Sequence, residues 1–265
     1  MSRFIDKLNQ LSRAESQPIG FRTTQPASPK PKIQLVASLA QESVESLADY
    51  VTGADAGLLR ISKPSSGAKT LNKISQAHSD IPWGGRLEGS GLGGIKQILK
   101  TGCDFVVFPA ANTPLAIPHN DEVGKILEVE ASLSEGLLRA VNELPIEAVL
   151  IADEQSESYF LTWQHLMLFR RFADLLTKPL LVSIPSNVTA GELQALWEAG
   201  VDGVVVEVTV GQPQDRLKEL RQVIDGLAFP SPHGRGKAEA LLPRTGRESS
   251  MPTTDVDEEE EEEED

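Results

Sequence analysis

The sequence predicts a closed (β/α)8 barrel between residues 32 and 227, with an amphipathic helix before it and an acidic tail after it. Three observations predict this fold class. Short apolar runs alternate with segments of helical periodicity, and the connections are long enough to join parallel strands. A glycine-containing junction recurs between helix and strand. The chain of 265 residues with 40% hydrophobic content can also bury a single core of this size.

Eight apolar runs predict the strands of this barrel. Six are strong: residues 33–38, 56–61, 105–108, 148–152, 180–184 and 203–207. Two weaker runs, 81–87 and 126–130, complete the count. Helical periodicity predicts helices over residues 43–51, 68–77, 94–100, 134–144, 159–176, 189–199 and 214–227. Between residues 110 and 125, Pro114 and Pro118 and the lack of a helical period predict a degenerate fourth unit, whose helix is missing or a single turn.

A short junction motif stands before three of the predicted strands. It occupies residues 52–55 (Thr-Gly-Ala-Asp), 101–104 (Thr-Gly-Cys-Asp) and 199–202 (Ala-Gly-Val-Asp). The glycine favours the left-handed residue that ends a helix, and the aspartate can accept backbone hydrogen bonds. The glycines are 49 and 98 residues apart, so one repeat holds two βα units and four repeats make eight strands. An open doubly wound sheet is the alternative.

The flanks of the barrel differ from it in composition. Phe4, Ile5, Leu8 and Leu11 share one helical face, which predicts a helix within residues 1–16 that packs against the body. Residues 17–31 contain four prolines and form a predicted linker, and residues 228–265 form a predicted disordered acidic tail. That tail is interpreted as solubilising or as a docking arm for a basic partner.

Charge and hydropathy exclude several classes of function. The net charge is −14, and residues 255–265 contribute ten of the negative charges, which leaves −4 for the rest of the chain. A body without a basic stripe has no footprint for nucleic acid. No apolar run is long enough to span a membrane and no signal peptide begins the chain, so we expect a cytoplasmic protein. The single cysteine, Cys103, is predicted to be a buried structural thiol.

Residues 179–207 (Pro-Leu-Leu-Val-Ser-Ile-Pro-Ser-Asn-Val-Thr-Ala-Gly-Glu-Leu-Gln-Ala-Leu-Trp-Glu-Ala-Gly-Val-Asp-Gly-Val-Val-Val-Glu) resemble strand seven, helix seven and strand eight of aldolase-type TIM barrels, notably the ribulose-phosphate-binding group. Residues 101–108 are similar to strand four of the same group. The resemblance implies backbone amides that hold a phosphate in the loops after strands seven and eight. This chain departs from that pattern. Ser186, Asn187 and Thr189 could offer donors to an anion, but ordinary capping of the helix by Ser186 or Asn187 is favoured, and Glu207 would repel an anion.

Barrel enzymes carry their sites where strands end and the following loops begin. The catalytic candidates at those positions are Glu88, Glu130 and Asp153. The candidates for substrate binding are Arg60, Lys63, Asn112, Ser183, Ser186, Asn187 and Glu207. Converging carboxylates can bind a divalent cation such as magnesium, or one of them can become a neutral general acid; simple solvation is the alternative. Lys63 is the one lysine at the correct end for a Schiff base, since no lysine lies within a predicted strand.

Two functional hypotheses follow. The chain is a lyase or isomerase that acts on a phosphorylated or carboxylated metabolite, or it is a catalytically inactive barrel that serves as a binding or scaffold protein. Its expected partner is a small molecule. The segment 89–94 (Gly-Ser-Gly-Leu-Gly-Gly) matches a dinucleotide fingerprint, but the acidic residue that should follow is absent. The apolar helix 159–176 predicts either a deeper core or a surface for a homo-oligomer.

Overall fold

Eight parallel strands close into a barrel in the order of the chain. The computed structural model describes residues 2–13, 32–40, 48–88, 92–115, 123–152, 160–209, 213 and 215–228. The strands are β1 (Gln34–Ala40), β2 (Ala56–Ile61), β3 (Trp83–Leu87), β4 (Phe105–Pro109), β5 (Gly124–Glu130), β6 (Ala148–Ala152), β7 (Leu180–Ile184) and β8 (Gly203–Val208). Pairing of β1 with β8 closes the ring. The predicted barrel is confirmed, and the open sheet is wrong.

In chain order the helices of the described residues lie between strands, except the first, which precedes β1, and the last, which follows β8. They are α1 (Arg3–Arg13), a 3-10 helix (Ala48–Val51), α2 (Pro64–Ala77), α3 (Leu92–Leu99), α4 (Glu135–Val141), α5 (Trp163–Leu175), α6 (Ala190–Glu198) and α7 (Arg216–Gly226). Residues 110–115, the described start of the fourth crossover, contain no helix. Among the described residues, no helix is long and apolar enough to cross a membrane. The predicted linker and all but the first residue of the predicted tail lie outside the described residues.

Strand side chains alternate between two separate cores. Those that face outward pack beneath the helices and form the larger cluster. Those that face inward form a second cluster inside the ring: Val36, Ala56, Leu58, Phe105, Val107, Ile126, Ala148, Leu150, Leu181 and Val205. Since every strand except β3 contributes to both clusters, the period of two fixes which side chains can reach a ligand inside the barrel.

Helix α1 closes the amino end of the barrel. Its residues Phe4, Ile5, Leu8 and Leu11 are 0–8% exposed and belong to the inner cluster. The rings of Phe4 and Phe105 lie 4.7 Å apart between centroids, and Phe105 is the first residue of β4. The predicted packing of this helix against the body is confirmed, and the structure adds that the helix caps the ring rather than lying on its outside.

The junction motif connects neighbouring strands by hydrogen bonds at the amino end of the barrel, the end that α1 closes. Gly53, Gly102 and Gly200 have φ of 100°, 72° and 92°, the left-handed conformation that the motif predicted. Three junction carboxylates accept an amide hydrogen bond from the start of the preceding strand, at 2.6–2.8 Å: Asp55 from Leu35, Glu147 from Lys125 and Asp202 from Leu180. Before β6, residues 144–147 are Leu-Pro-Ile-Glu, so Glu147 takes the place of the aspartate in a fourth junction whose glycine is replaced by Pro145.

Asp104 is the exception among the four junction carboxylates. It accepts hydrogen bonds from the amides of Arg3 and Phe4 at 2.8 and 2.9 Å and from Ser2 Oγ at 2.7 Å. These amides belong to the first turn of α1, which has no carbonyl partners for them within the helix. The carboxylate that joins strands at the other three junctions thus anchors the capping helix at the fourth.

Cys103 lies beside this anchor and is buried, as the sequence predicted. Burial raises the pKa of its thiol to about 11. The thiol therefore stays protonated near neutral pH, which fits a structural residue rather than a nucleophile.

Candidate functional site

Charged side chains fill the carboxyl end of the barrel, opposite α1. Arg60 on β2, Arg86 on β3, Glu128 on β5 and Glu207 on β8 lie at even spacing from the inward-facing positions of their strands and so face inward themselves, and Glu88 directly follows β3. Arg60 and Arg86 are aligned neighbours in the sheet register. We call these five residues the mouth cluster. They occupy the end at which (β/α)8 enzymes place their active sites.

Arg60 bridges two of the predicted carboxylates. Its Nε donates to Glu88 Oε1 at 3.0 Å, and its Nη1 donates to Glu207 Oε1 at 2.8 Å. Ser62 Oγ donates to the other oxygen of Glu88 at 2.8 Å. The structure thus brings together three predicted site residues from β2, β8 and the end of β3. Their charges compensate one another instead of accumulating.

The pairing changes the acidity of both partners. Burial acts to raise the pKa of Glu88, but hydrogen bonds from Ser62 and Arg60 outweigh it, so this pKa lies below its ordinary value. Burial acts to lower the pKa of Arg60, but the hydrogen bond to Glu88 and the charge of Glu207 outweigh it, and this pKa is raised. Glu88 is therefore an ionised carboxylate near neutral pH, available as a base or an electrostatic partner rather than as an acid.

Arg86 and Glu128 form the most enclosed ion pair of the mouth cluster. Arg86 Nε and Nη2 each donate to one oxygen of Glu128 at 2.8 Å, in the two-pronged geometry that arginine favours with carboxylates. The two side chains are 15% and 12% exposed. Neither residue was among the candidates predicted from the sequence, although the period of two places Glu128 on the same face as Glu130 and Arg86 on the same face as Glu88.

The remaining candidates are more dispersed. Glu130 ends β5, is exposed and accepts a hydrogen bond from Ser132 Oγ at 3.2 Å. Ser183 lies on β7, half-buried and in register with the inward-facing Val205. Lys63 and Asn112 are exposed at the carboxyl ends of β2 and β4. Asp153 lies outside the described residues.

The loop after β7 differs from the expected capping arrangement. Neither Ser186 nor Asn187 caps α6; Thr189 does. Glu192 accepts from the Thr189 amide at 2.7 Å, and the Thr189 hydroxyl accepts from the Glu192 amide at 3.3 Å. This capping box uses amides of the first turn, the region in which the resemblance implies a phosphate site.

Lys125 corrects the expectation that no strand contains a lysine. It is the second residue of β5 and is 7% exposed. Its neighbour Ile126 faces the barrel interior, so Lys125 faces the surrounding helices and lies near the amino end. It cannot act as a Schiff-base lysine at the mouth. Within the described parts of the chain, no three His, Cys, Asp or Glu side chains are grouped to hold a metal ion.

Helix α5 buries one side of its apolar surface and exposes another. Phe169 and Phe172 are buried in the outer core, whereas Trp163 and Met167 are 81% and 67% exposed. A groove of about 370 Å³ runs beside Trp163, between α5 and α6. Its lining is mainly apolar, and the homo-oligomer stays a prediction.

Comparison with known proteins agrees with this architecture. No family model and no curated protein matches the chain. Among solved structures, two mutant forms of the tryptophan synthase alpha-subunit from Pyrococcus furiosus are each 12% identical to it, with TM-scores of 0.58. Both comparisons cover 74% of this chain and 98% of the other. This chain has an aldolase-type TIM-barrel fold. The resemblance found in residues 179–207 is thereby confirmed at the level of fold, the level that such identities support.

Proposed function

We propose that this chain binds a small metabolite at the carboxyl end of its barrel and acts on it as a lyase or isomerase through acid–base chemistry. The observation that carries this proposal is the mouth cluster: two arginines and three glutamates, drawn from four strands and one strand end, face one interior. Groups of both signs in one place can bind a charged or polar ligand and move a proton on it.

Stability alone is a weak reason for such a cluster. Removing charges from water costs free energy, and replacing an enclosed ion pair with apolar side chains of similar volume is often neutral or stabilising. The amino end of this barrel is filled in that apolar way, by Phe4 and Leu8. Charged residues at the other end therefore favour a role with a ligand.

The proposed roles follow from charge and exposure. Arg60 and Arg86 would bind a carboxylate or phosphate of the metabolite. Glu88, held as a carboxylate, would accept a proton or stabilise a developing positive charge. Glu130 is exposed and has a serine hydroxyl as its hydrogen-bond donor, so it is the candidate for proton transfer at the rim, together with Asp153. A divalent cation such as magnesium remains a proposed co-ligand of these rim carboxylates.

The second candidate function is a barrel that binds or scaffolds without catalysis. One observation favours it: Arg60 is already held by two carboxylates, and the first turn of α6 hydrogen-bonds within its own capping box. A catalytic site that bound phosphate there would have to break these contacts.

The test is a ligand and activity screen on the full chain. Thermal shifts against inorganic phosphate, sugar phosphates, small carboxylates and magnesium identify ligands, because a ligand of the folded state raises its melting temperature. Turnover of the stabilising compounds is then measured in the wild type, in Glu130→Gln and Asp153→Asn, and in the matched exposed control Glu143→Gln. Loss of turnover in the first two variants alone is expected. Turnover that survives in both would overturn the proposed roles, and binding without turnover would favour the scaffold.

A further inference from the structure

We infer that Arg86 anchors the ligand of the mouth by its carboxylate group, and that Glu128 is the positioning residue that holds Arg86 for this task. The inference rests on the proposed function and narrows its ligand to a small carboxylate rather than a phosphate ester. Neither residue is the last residue of its strand, and the candidates predicted from the sequence were taken from strand ends.

The first support is the rigidity of the arginine. Glu128 binds it through two parallel hydrogen bonds of 2.8 Å, and both side chains are largely enclosed. An arginine fixed in this way has already lost most of its rotamer freedom, so a ligand that binds it bears little further entropic cost. Glu128 stands two strands away from Arg86, across β4, so the pair also fixes the side chain over the barrel interior.

The second support is the donor capacity that Glu128 leaves. A guanidinium has five N–H donors, and Glu128 accepts two of them, from Nε and Nη2. Nη1 donates to no group in the described part of the chain, and it is not sealed from solvent. Arg60 differs, because Glu88 and Glu207 bind it on two sides. An anion would have to displace a carboxylate at Arg60 but can approach Arg86 directly.

The third support concerns the kind of anion. Glu88, Glu128 and Glu207 outnumber the two arginines of the mouth cluster, so a phosphate dianion meets more repulsion there than a carboxylate monoanion. The planar carboxylate also matches the fork of guanidinium donors. At the start of α6, the amide of Thr189 donates to Glu192 and the amide of Glu192 donates to Thr189, so two amides near the implied phosphate site are already engaged.

Calorimetric titration of the full chain with pyruvate, malonate and succinate, and in parallel with inorganic phosphate and glycerol phosphate, tests this inference. We expect at least one carboxylate to bind more tightly than either phosphate. In Arg86→Lys, which keeps the charge but loses the fork, its affinity should fall about tenfold or more. The control Arg170→Gln, on the outer surface of α5, should bind as the wild type does.

Glu128 is tested with two variants of different severity. Glu128→Gln keeps one acceptor oxygen and the side-chain length, whereas Glu128→Leu keeps neither. If Glu128 positions Arg86, the carboxylate binds Glu128→Gln more weakly than the wild type but more tightly than Glu128→Leu. Circular dichroism and the melting temperature without ligand identify any variant that has failed to fold. If Glu128→Leu does not fold, carboxylate affinity is compared among the wild type, Arg86→Lys and Glu128→Gln.

Two outcomes would overturn the inference. One is equal carboxylate affinity in the wild type and a folded Arg86→Lys. The other is a wild type that prefers phosphate or binds none of the carboxylates. Neither outcome removes the proposed function, which is judged by turnover and by the Glu130→Gln and Asp153→Asn variants. Carboxylate binding that depends on Arg86 without any turnover would instead retain the inference and favour the non-catalytic barrel.

Discussion

The two ends of this barrel are filled by opposite means. At the amino end, α1 inserts Phe4 and Leu8 among inward-facing apolar side chains. At the carboxyl end, the same inward-facing strand positions carry Arg60, Arg86 and Glu128. Burial of apolar area stabilises a fold directly, whereas enclosed ion pairs lose much of their Coulombic gain to desolvation. The difference supports our proposal that the apolar end stabilises the fold and the charged end binds a ligand, and four measurements test it.

The largest effect is expected at the apolar end. Phe4→Ala should lower the free energy of unfolding by about 3–5 kcal/mol, because it removes a fully buried ring and leaves a cavity against Phe105. Urea unfolding followed by circular dichroism measures it. Met167→Ala, at an exposed apolar position, is the control and should change stability by less than about 0.5 kcal/mol. Similar small changes in both variants would show that α1 is not part of the stabilising core.

The next effect is expected from breaking the enclosed ion pair. Glu128→Leu should cost about 3 kcal/mol, because it leaves the guanidinium of Arg86 enclosed without its acceptor. The double variant Arg86→Met with Glu128→Leu should recover most of that loss. Unfolding curves of the two single variants and the double variant form the cycle that measures this. A double variant less stable than either single one would mean that the pair exists for stability, and the contrast between the ends would fail.

A smaller effect is expected at the anchor of α1. Asp104→Asn should cost about 1–2 kcal/mol, because it removes a charged acceptor from the amides of Arg3 and Phe4. Hydrogen exchange should show faster opening in the first turn of α1 than in the strands. Asp202→Asn is the matched junction control, since its carboxylate accepts from the amide of Leu180 on β7. Equal protection of α1 in both variants would contradict the anchoring role.

The smallest effect is a pH dependence at the mouth. The pKa of Glu88 is lower in the folded chain than in the unfolded one. Its contribution is therefore present above the unfolded pKa of about 4.3 and is lost as the pH falls through the lower folded value. In Glu88→Gln, the free energy of unfolding should fall less steeply than in the wild type as the pH drops below about 4.3. Urea unfolding at a series of pH values measures this slope. An unchanged slope would mean that Arg60 and Ser62 do not hold the carboxylate in solution.

The fold was largely predictable because its signals are local. A left-handed glycine ends a helix wherever it occurs, so Gly53, Gly102 and Gly200 marked the starts of strands without any knowledge of their neighbours. The inward face of each strand followed from its period of two. The capping box of Thr189 and Glu192 was also visible as a Thr-x-x-Glu pattern, although the sequence analysis assigned the cap to Ser186 or Asn187.

The site was less predictable because its contacts depend on how the ring closes. Arg60 meets Glu207 only because β8 pairs with β1, which brings the last strand within reach of the second. Arg86 meets Glu128 across an intervening strand, at a depth set by the stagger of the barrel. The last residues of the strands and the first residues after them were taken as candidates, which included Glu88 and Glu130. Arg86 and Glu128, two residues earlier on the same inward faces, were therefore not predicted.

The position of α1 has a consequence for how this protein is made. The helix precedes every strand in the chain, yet the inner cluster that its apolar residues join includes Val205 on β8, the last strand. At ordinary rates of translation, the ribosome takes on the order of ten seconds to synthesise the intervening residues. During that interval the stripe of Phe4, Ile5, Leu8 and Leu11 has no barrel to enter. A nascent chain halted before β8 therefore displays an uncovered apolar helix, which is the kind of surface that chaperones bind.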